Sequence, residues 1–166
     1  MSLDVDVSSN GARAPLSRKA TQETVQAVLR SEKVRNALVS ITFLDKRAMA
    51  RLNKEHLRHR GPTDVISFGF ARATKTDPVV GDIYICPDVA RENAKGRDET
   101  VGRELKRLVI HGTLHILGYD HPHEDREASE MWRKQERLVS RLTATPRERT
   151  FRRSAPQGDS AKRSKR

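Results

Sequence analysis

The first chemical signal in this chain is three histidines, His111, His115 and His121, within the run HGTLHILGYDH. His111 and His115 are four residues apart. On an α-helix that spacing puts them about 40° apart in azimuth and about 6 Å apart along the axis, so both imidazoles share one side. Two such rings can converge on an ion at roughly 2.0–2.1 Å. Gly118 is placed to end the helix in a left-handed turn, which glycine adopts without steric cost. The chain can then double back and bring His121 to the same ion. A histidine pair at this spacing also fits a solvated face or a core hydrogen bond; the third histidine, just past a glycine-terminated helix, favours a metal. Three neutral nitrogens with an open fourth position describe a catalytic zinc site, whereas structural sites close the shell with four ligands. The expected cofactor is one zinc ion, although nickel, copper, cobalt and iron also bind imidazole.

Neighbouring residues qualify this chemistry. Asp120 can orient a ligand imidazole from outside the shell or serve as a turn cap, and His123 offers a spare nitrogen. Zinc peptidases of the HExxH type use the glutamate as general base, but here Gly112 follows His111, which disfavours peptide hydrolysis. A metal without an adjacent carboxylate can still polarise a phosphoryl oxygen or lower the pKa of water. Asp120, His123, Glu124 and Asp125 are all near enough in sequence to act as base, and none stands out.

The elements that must hold these groups follow from hydrophobic periodicity. Leu3, Val5 and Val7 alternate with Asp4 and Asp6 as in a strand. Ser17 can cap a helix over Arg18–Arg30, with Ala20, Thr24, Ala27 and Val28 inward. Ala37–Leu44 reads as a strand, and Asp45 caps a helix over Lys46–His56 that faces Met49, Leu52 and Leu57 to the core. A turn and third strand span Gly61–Phe70, Arg72–Pro78 is a loop, and Val79–Cys86 is a fourth strand stopped by Pro87. Helices over Asp88–Lys95, from Thr100 to near Gly118, and over Glu124–Thr143 complete the chain. Cys86, Met131 and Trp132 read as core. The pattern predicts an α/β fold: a single-layer mixed sheet of about four strands packed with about five helices.

Apolar residues make up 35% of the chain, and the shortfall is concentrated at its end. Pro146–Arg166 contains Phe151 as its only large apolar side chain and eight basic residues against two acidic, so it supplies six of the eleven net positive charges. The expectation is a folded domain over 1–145 and a basic, disordered tail over 146–166. The basic charge fits a polyanionic partner, because phosphate contacts release counterions; a solubilising tail fits it equally. No apolar run approaches a membrane span, and MSLDVDVSSNG lacks the apolar stretch of a signal peptide. The lone Cys86 excludes an internal disulfide. These features fit a cytoplasmic protein.

HGTLHILGYDH resembles the HGxLHLxGYDH pattern of the YbeY family, bacterial ribosomal RNA maturation factors described as single-strand-specific metallo-endoribonucleases. Three further blocks resemble that family in the same order: Leu52-Asn53, PTDVISF (Pro62–Phe68) and GDIYIC (Gly81–Cys86), with the acidic stretch ending at Glu130-Met131 also in keeping. The resemblance spans roughly Leu3–Leu142. It implies zinc on His111, His115 and His121, ribosomal RNA and the small ribosomal subunit as partners, processing of the small-subunit rRNA 3′ end, and ribosome quality control. The arginine that the family pattern leads one to expect near the metal falls on Leu57, so Arg58, or its neighbour Arg60, is the candidate catalytic guanidinium. The family's proline after Ser-Phe is Gly69 here, from which a looser strand end is expected. The rival reading is an RNA- or ribosome-binding assembly factor that does not cleave and whose metal is structural.

Overall fold

The computed structural model describes residues 1–144; the basic tail expected over 146–166 lies outside them. Four strands, β1 (Ser2–Asn10), β2 (Asn36–Leu44), β3 (Val65–Gly69) and β4 (Val79–Ile85), form one mixed sheet. Its order is β1-β2-β4-β3, with β1, β2 and β4 parallel and β3 antiparallel at one edge. Five α-helices accompany it: α1 (Arg18–Ser31), α2 (Lys46–Leu52), α3 (Pro87–Gly96), α4 (Val101–Ile116) and α5 (Glu130–Thr143). The expected α/β architecture is the observed one. No described helix is long and apolar enough to cross a membrane.

Local chemistry sets the helix starts. The side chains of Ser17, Asp45, Thr100 and Ser129 accept the backbone N–H of Ala20, Ala48, Arg103 and Trp132, satisfying donors that the first turn leaves unpaired. Pro87 both ends β4 and opens α3, where its missing N–H costs nothing. Helix α4 lies at the centre. Leu105, Val109 and Ile116 meet Val39, Ile41, Ile83 and Ile85 of the sheet, while Ile110 and Leu114 meet Val28 of α1 and Met131, Leu138 and Val139 of α5.

Several boundaries differ from the sequence reading. The buried stripe of α1 is Thr21, Thr24, Val25, Val28 and Leu29, rotated from the expected face because the larger Val25 and Leu29 take the interior from Ala20 and Ala27. After Leu52 the backbone widens into a π-helical turn, Asn53–Leu57. That turn changes the azimuth per residue, and Leu57 ends 45% exposed instead of in the core. Helix α5 begins at Glu130, not Glu124. Asp125 adopts a left-handed backbone (φ 53°) and a 3₁₀ turn, Arg126–Ala128, precedes the Ser129 cap.

Gly69 does not loosen its strand. It pairs with Gly81 in register, and Phe70 N–H continues the ladder to the Val80 carbonyl at 3.0 Å. Together the two glycines form a shallow seat for the end of α4. A Cβ on Gly69 would sit 3.1 Å from Ile116 Cα, and one on Gly81 would sit 2.7 Å from Ile116 Cγ2. On the helix side, a Cβ on Gly112 would come within 2.7 Å of Ile83 Cγ2. Gly81→Ala should therefore overpack this contact and lower unfolding free energy by about 1–3 kcal/mol, read from urea midpoints at constant m-value; an unchanged midpoint would show that the helix has room to lift.

Candidate metal centre

The close seat of α4 decides which way its last two turns face. With Gly112 pressed on Ile83, His111 and His115, about 100° and 60° round the helix from it, are directed along the flank of the helix and not into the sheet. The helix then stops in a hydrogen-bonded reversal: Gly118, at φ 98°, donates to the His115 carbonyl at 2.9 Å, and Tyr119 N–H donates to the Leu114 carbonyl at 3.1 Å. This is the paired 5→2 and 6→1 closure that a left-handed glycine permits. Tyr119 is then anchored, its hydroxyl donating to Glu32 Oε2 at 2.6 Å and its ring lying under the Lys134 ammonium, which itself donates to Glu32 Oε1 at 2.8 Å. The reversal and the anchor bring His121 back over the end of α4.

The three rings meet. Centroids are 4.5 Å apart for His111 and His115, 5.2 Å for His111 and His121, and 5.1 Å for His115 and His121. One nitrogen of each lies within 4.8 Å of those of the other two, so the group could hold a metal ion. The opposite nitrogens are already engaged. His111 Nδ1 is 2.6 Å from Gln135 Oε1, His115 Nδ1 is 3.0 Å from the Tyr119 carbonyl, and His121 Nδ1 is 3.1 Å from the Pro122 carbonyl. Carbonyl oxygens only accept, so each Nδ1 carries its proton and each Nε2 keeps a free lone pair. Orientation of this kind, with the second nitrogen donating outward, is what a metal-ligating histidine needs.

Electrostatics favour the same state. Burial pushes the His111 pKa down to about 4; the bond to Gln135 opposes it, and the neighbouring His115 and His121 add smaller lowering effects. Burial and His121 likewise lower His115. Both rings are therefore neutral at pH 7, and a cation meets no competing proton there.

The structure separates the other candidates. Asp120 Oδ1 accepts the backbone N–H of His121 at 2.8 Å, so Asp120 braces the turn and does not orient an imidazole. His123 lies outside the group of three, exposed in the same loop as Glu124 and Asp125. Gly112 faces the sheet with no room for a side chain; the base position of an HExxH site is filled by the core here. Arg58 closes the π-helical turn in a left-handed conformation (φ 55°). Its guanidinium and that of Arg60 are exposed and form no hydrogen bond or ion pair among the described residues.

Three residues near the site escaped the sequence reading. Gln135 is 1% exposed, and its signal was a polar side chain in register with Met131 and Leu138 on the buried stripe of α5. Arg97 and Arg126 border a cavity of about 40 Å³ that His111, Asp64, Trp132 and Gln135 also line. Trp132 is not simply core: it is half-buried, with the Arg97 guanidinium 5.6 Å over its ring. Cys86 and Met131 are buried as expected.

Residues 6–143 match the family model described as endoribonuclease YbeY. A protein of Thermotoga petrophila named endoribonuclease YbeY is 35% identical over 73% of this chain and 77% of its own. One of the same name from Bacillus licheniformis is 36% identical over 85% of this chain and 96% of its own. A solution structure from Thermotoga maritima superposes with a TM-score of 0.55 at 25% identity, covering 96% of this chain and 99% of that one.

A pH consequence follows from the His111 environment. In the metal-free protein the folded state refuses a proton that the unfolded chain accepts from about pH 6.5 downward, so stability is complete above 6.5 and is lost toward pH 4. The contribution of His111 should make unfolding free energy about 2 kcal/mol smaller at pH 5 than at pH 8. Urea titrations at both pH values should show this difference shrinking in His111→Gln; an equal difference in both proteins would place the effect elsewhere.

Proposed function

The chain belongs to the endoribonuclease YbeY family, and from that membership we propose that it is a single-strand-specific, metal-dependent endoribonuclease acting on ribosomal RNA in the cytoplasm. Its role is maturation of the small-subunit rRNA 3′ end and ribosome quality control. The observation that carries the enzymatic reading is the convergence of His111, His115 and His121, each with its outer nitrogen satisfied by a carbonyl. One zinc ion suits this donor set of three neutral imidazoles. When bound, such an ion supplies Lewis acidity toward a phosphoryl oxygen and lowers the pKa of water.

The protein's own residues supply the rest. His111, His115 and His121 would hold the ion through Nε2, offered from the end of α4 and from the turn braced by Asp120. Charge that develops on the phosphate in the transition state calls for a nearby cation. Arg58 and Arg60 lie exposed in the segment before β3, while Arg97 and Arg126 border the cavity beside His111. The eight basic side chains of Pro146–Arg166 add sequence-independent attraction for RNA outside the catalytic domain proposed over 1–145.

The competing reading is a non-cleaving assembly factor that binds ribosomal RNA around a structural metal. One observation favours it: Leu57, where the resemblance leads one to expect an arginine, is an exposed apolar side chain. Cleavage decides between them. Protein purified without a nickel column should contain about one zinc per chain, lost in His121→Ala, and should cut single-stranded RNA. His111→Ala/His115→Ala should be inactive; activity persisting in that variant would remove the nuclease assignment.

The four arginines can be ranked by kinetics. Alanine at the one that meets the developing charge should lower kcat by about 10²-fold or more with zinc content unchanged. If Arg58→Ala and Arg126→Ala both retain full kcat, neither guanidinium stabilises the transition state.

A further inference from the structure

Behind His111 lies a polar chain, buried at Gln135, Arg107 and Glu104 and partly exposed at Glu99 and Glu136. Gln135 Nε2 donates to Glu136 Oε1 at 3.2 Å. Glu136 accepts two bonds from Arg107, from Nε at 2.8 Å and from Nη2 at 3.3 Å. Arg107, 4% exposed, also donates to Glu104 Oε2 at 2.6 Å and to Glu99 Oε1 at 3.0 Å. A second bond joins Arg107 Nη1 to Glu99 Oε2. The network therefore runs from a histidine of the cluster to three carboxylates gathered on one guanidinium.

We propose that Gln135 is a positioning residue for His111, and that the Glu136–Arg107 pair fixes which end of its amide faces the imidazole. The argument is one of donors and acceptors. An amide can present either its carbonyl or its NH2 to His111 Nδ1. Glu136, held in place by two bonds from Arg107, is a carboxylate that only accepts, so it binds the NH2 end. The carbonyl is then left for His111, which must carry its proton on Nδ1 and leave Nε2 bare. The flipped amide would present N–H to Nδ1, move the proton to Nε2, and block the nitrogen that faces His115 and His121.

Stability alone does not account for this arrangement. The buried Arg107–Glu104 pair at its centre costs desolvation free energy that apolar packing of similar volume avoids. His111 also differs from its partners. Backbone carbonyls hold His115 and His121, whereas the tautomer of His111 depends on a side chain. This inference rests on the metal-site reading, yet the tautomer itself can be measured without metal.

Two readouts test it. The first is zinc affinity by competition with a chromophoric chelator. Gln135→Met keeps volume but removes the acceptor and should weaken binding roughly 10–100-fold. Gln135→Glu, which restores an acceptor, should recover most of that loss, and Glu136→Gln, which frees the amide to flip, should fall between. The second is the imidazole ¹⁵N spectrum of the metal-free protein at pH 7.5. His111 should be protonated at Nδ1 in wild type and mixed in Gln135→Met. Affinity within twofold of wild type together with an unchanged tautomer in Gln135→Met would overturn the proposal. If wild type binds no zinc, the metal-site reading fails and the ¹⁵N spectrum still decides the role of Gln135.

Discussion

The distance between α4 and the sheet governs everything at the histidine site. Three glycines permit it: Gly69 and Gly81 on neighbouring strands, and Gly112 on the helix, all placed where a single methyl group would strike Ile116 or Ile83. Interiors packed at crystal-like density do not absorb such a group without displacing backbone. A helix lifted from this seat would also translate and rotate. His111 and His115 would move with it, while His121, tied through Tyr119 to Glu32 on the far side, would not follow. Convergence of the rings thus depends on van der Waals contact at the adjoining face of the same helix.

A second layer of organisation is polar. Each histidine needs an acceptor at Nδ1, and the chain uses the helix-terminating turn for His115, the proline carbonyl for His121 and a buried glutamine for His111. Carbonyls past the end of α4, at Tyr119 and Pro122, are not spent on the helical ladder, so a site built there finds acceptors without recruiting side chains. His111 lies a full turn earlier, where backbone carbonyls are spent on the helix. Its acceptor must come from α5, and that requirement explains a polar residue in the stripe that holds Met131 and Leu138. Among the described residues no buried side-chain nitrogen or oxygen lacks a hydrogen-bond partner, so the polar interior is complete despite its charge.

Sequence reading recovered the strands, the five helices and the caps at Ser17 and Asp45, because each depends on short-range pattern: alternation of apolar residues, a capping side chain, a proline or glycine at an end. It missed where the pattern is decided by neighbours. The π-helical turn at Asn53–Leu57 and the late start of α5 are set by how loops reach their anchors, such as the bond from Asn53 Nδ2 to the Gly61 carbonyl at 2.9 Å. Trp132 looked like core because of its type, yet its ring serves as a platform for Arg97.

The histidine site divides along the same line. Sequence by itself determined the three histidines, the i and i+4 placement of two of them, the reversal at Gly118 and the absence of a peptidase glutamate, since all of these lie within eleven consecutive residues. Only the tertiary structure decided why that glutamate is absent: position 112 is occupied by the sheet. It also supplied Gln135, 24 positions from His111 along the chain, and the ion cluster behind it. Side-chain acceptors and close helix–sheet contacts depend on distances through space, and a linear pattern carries no record of those until the chain has folded.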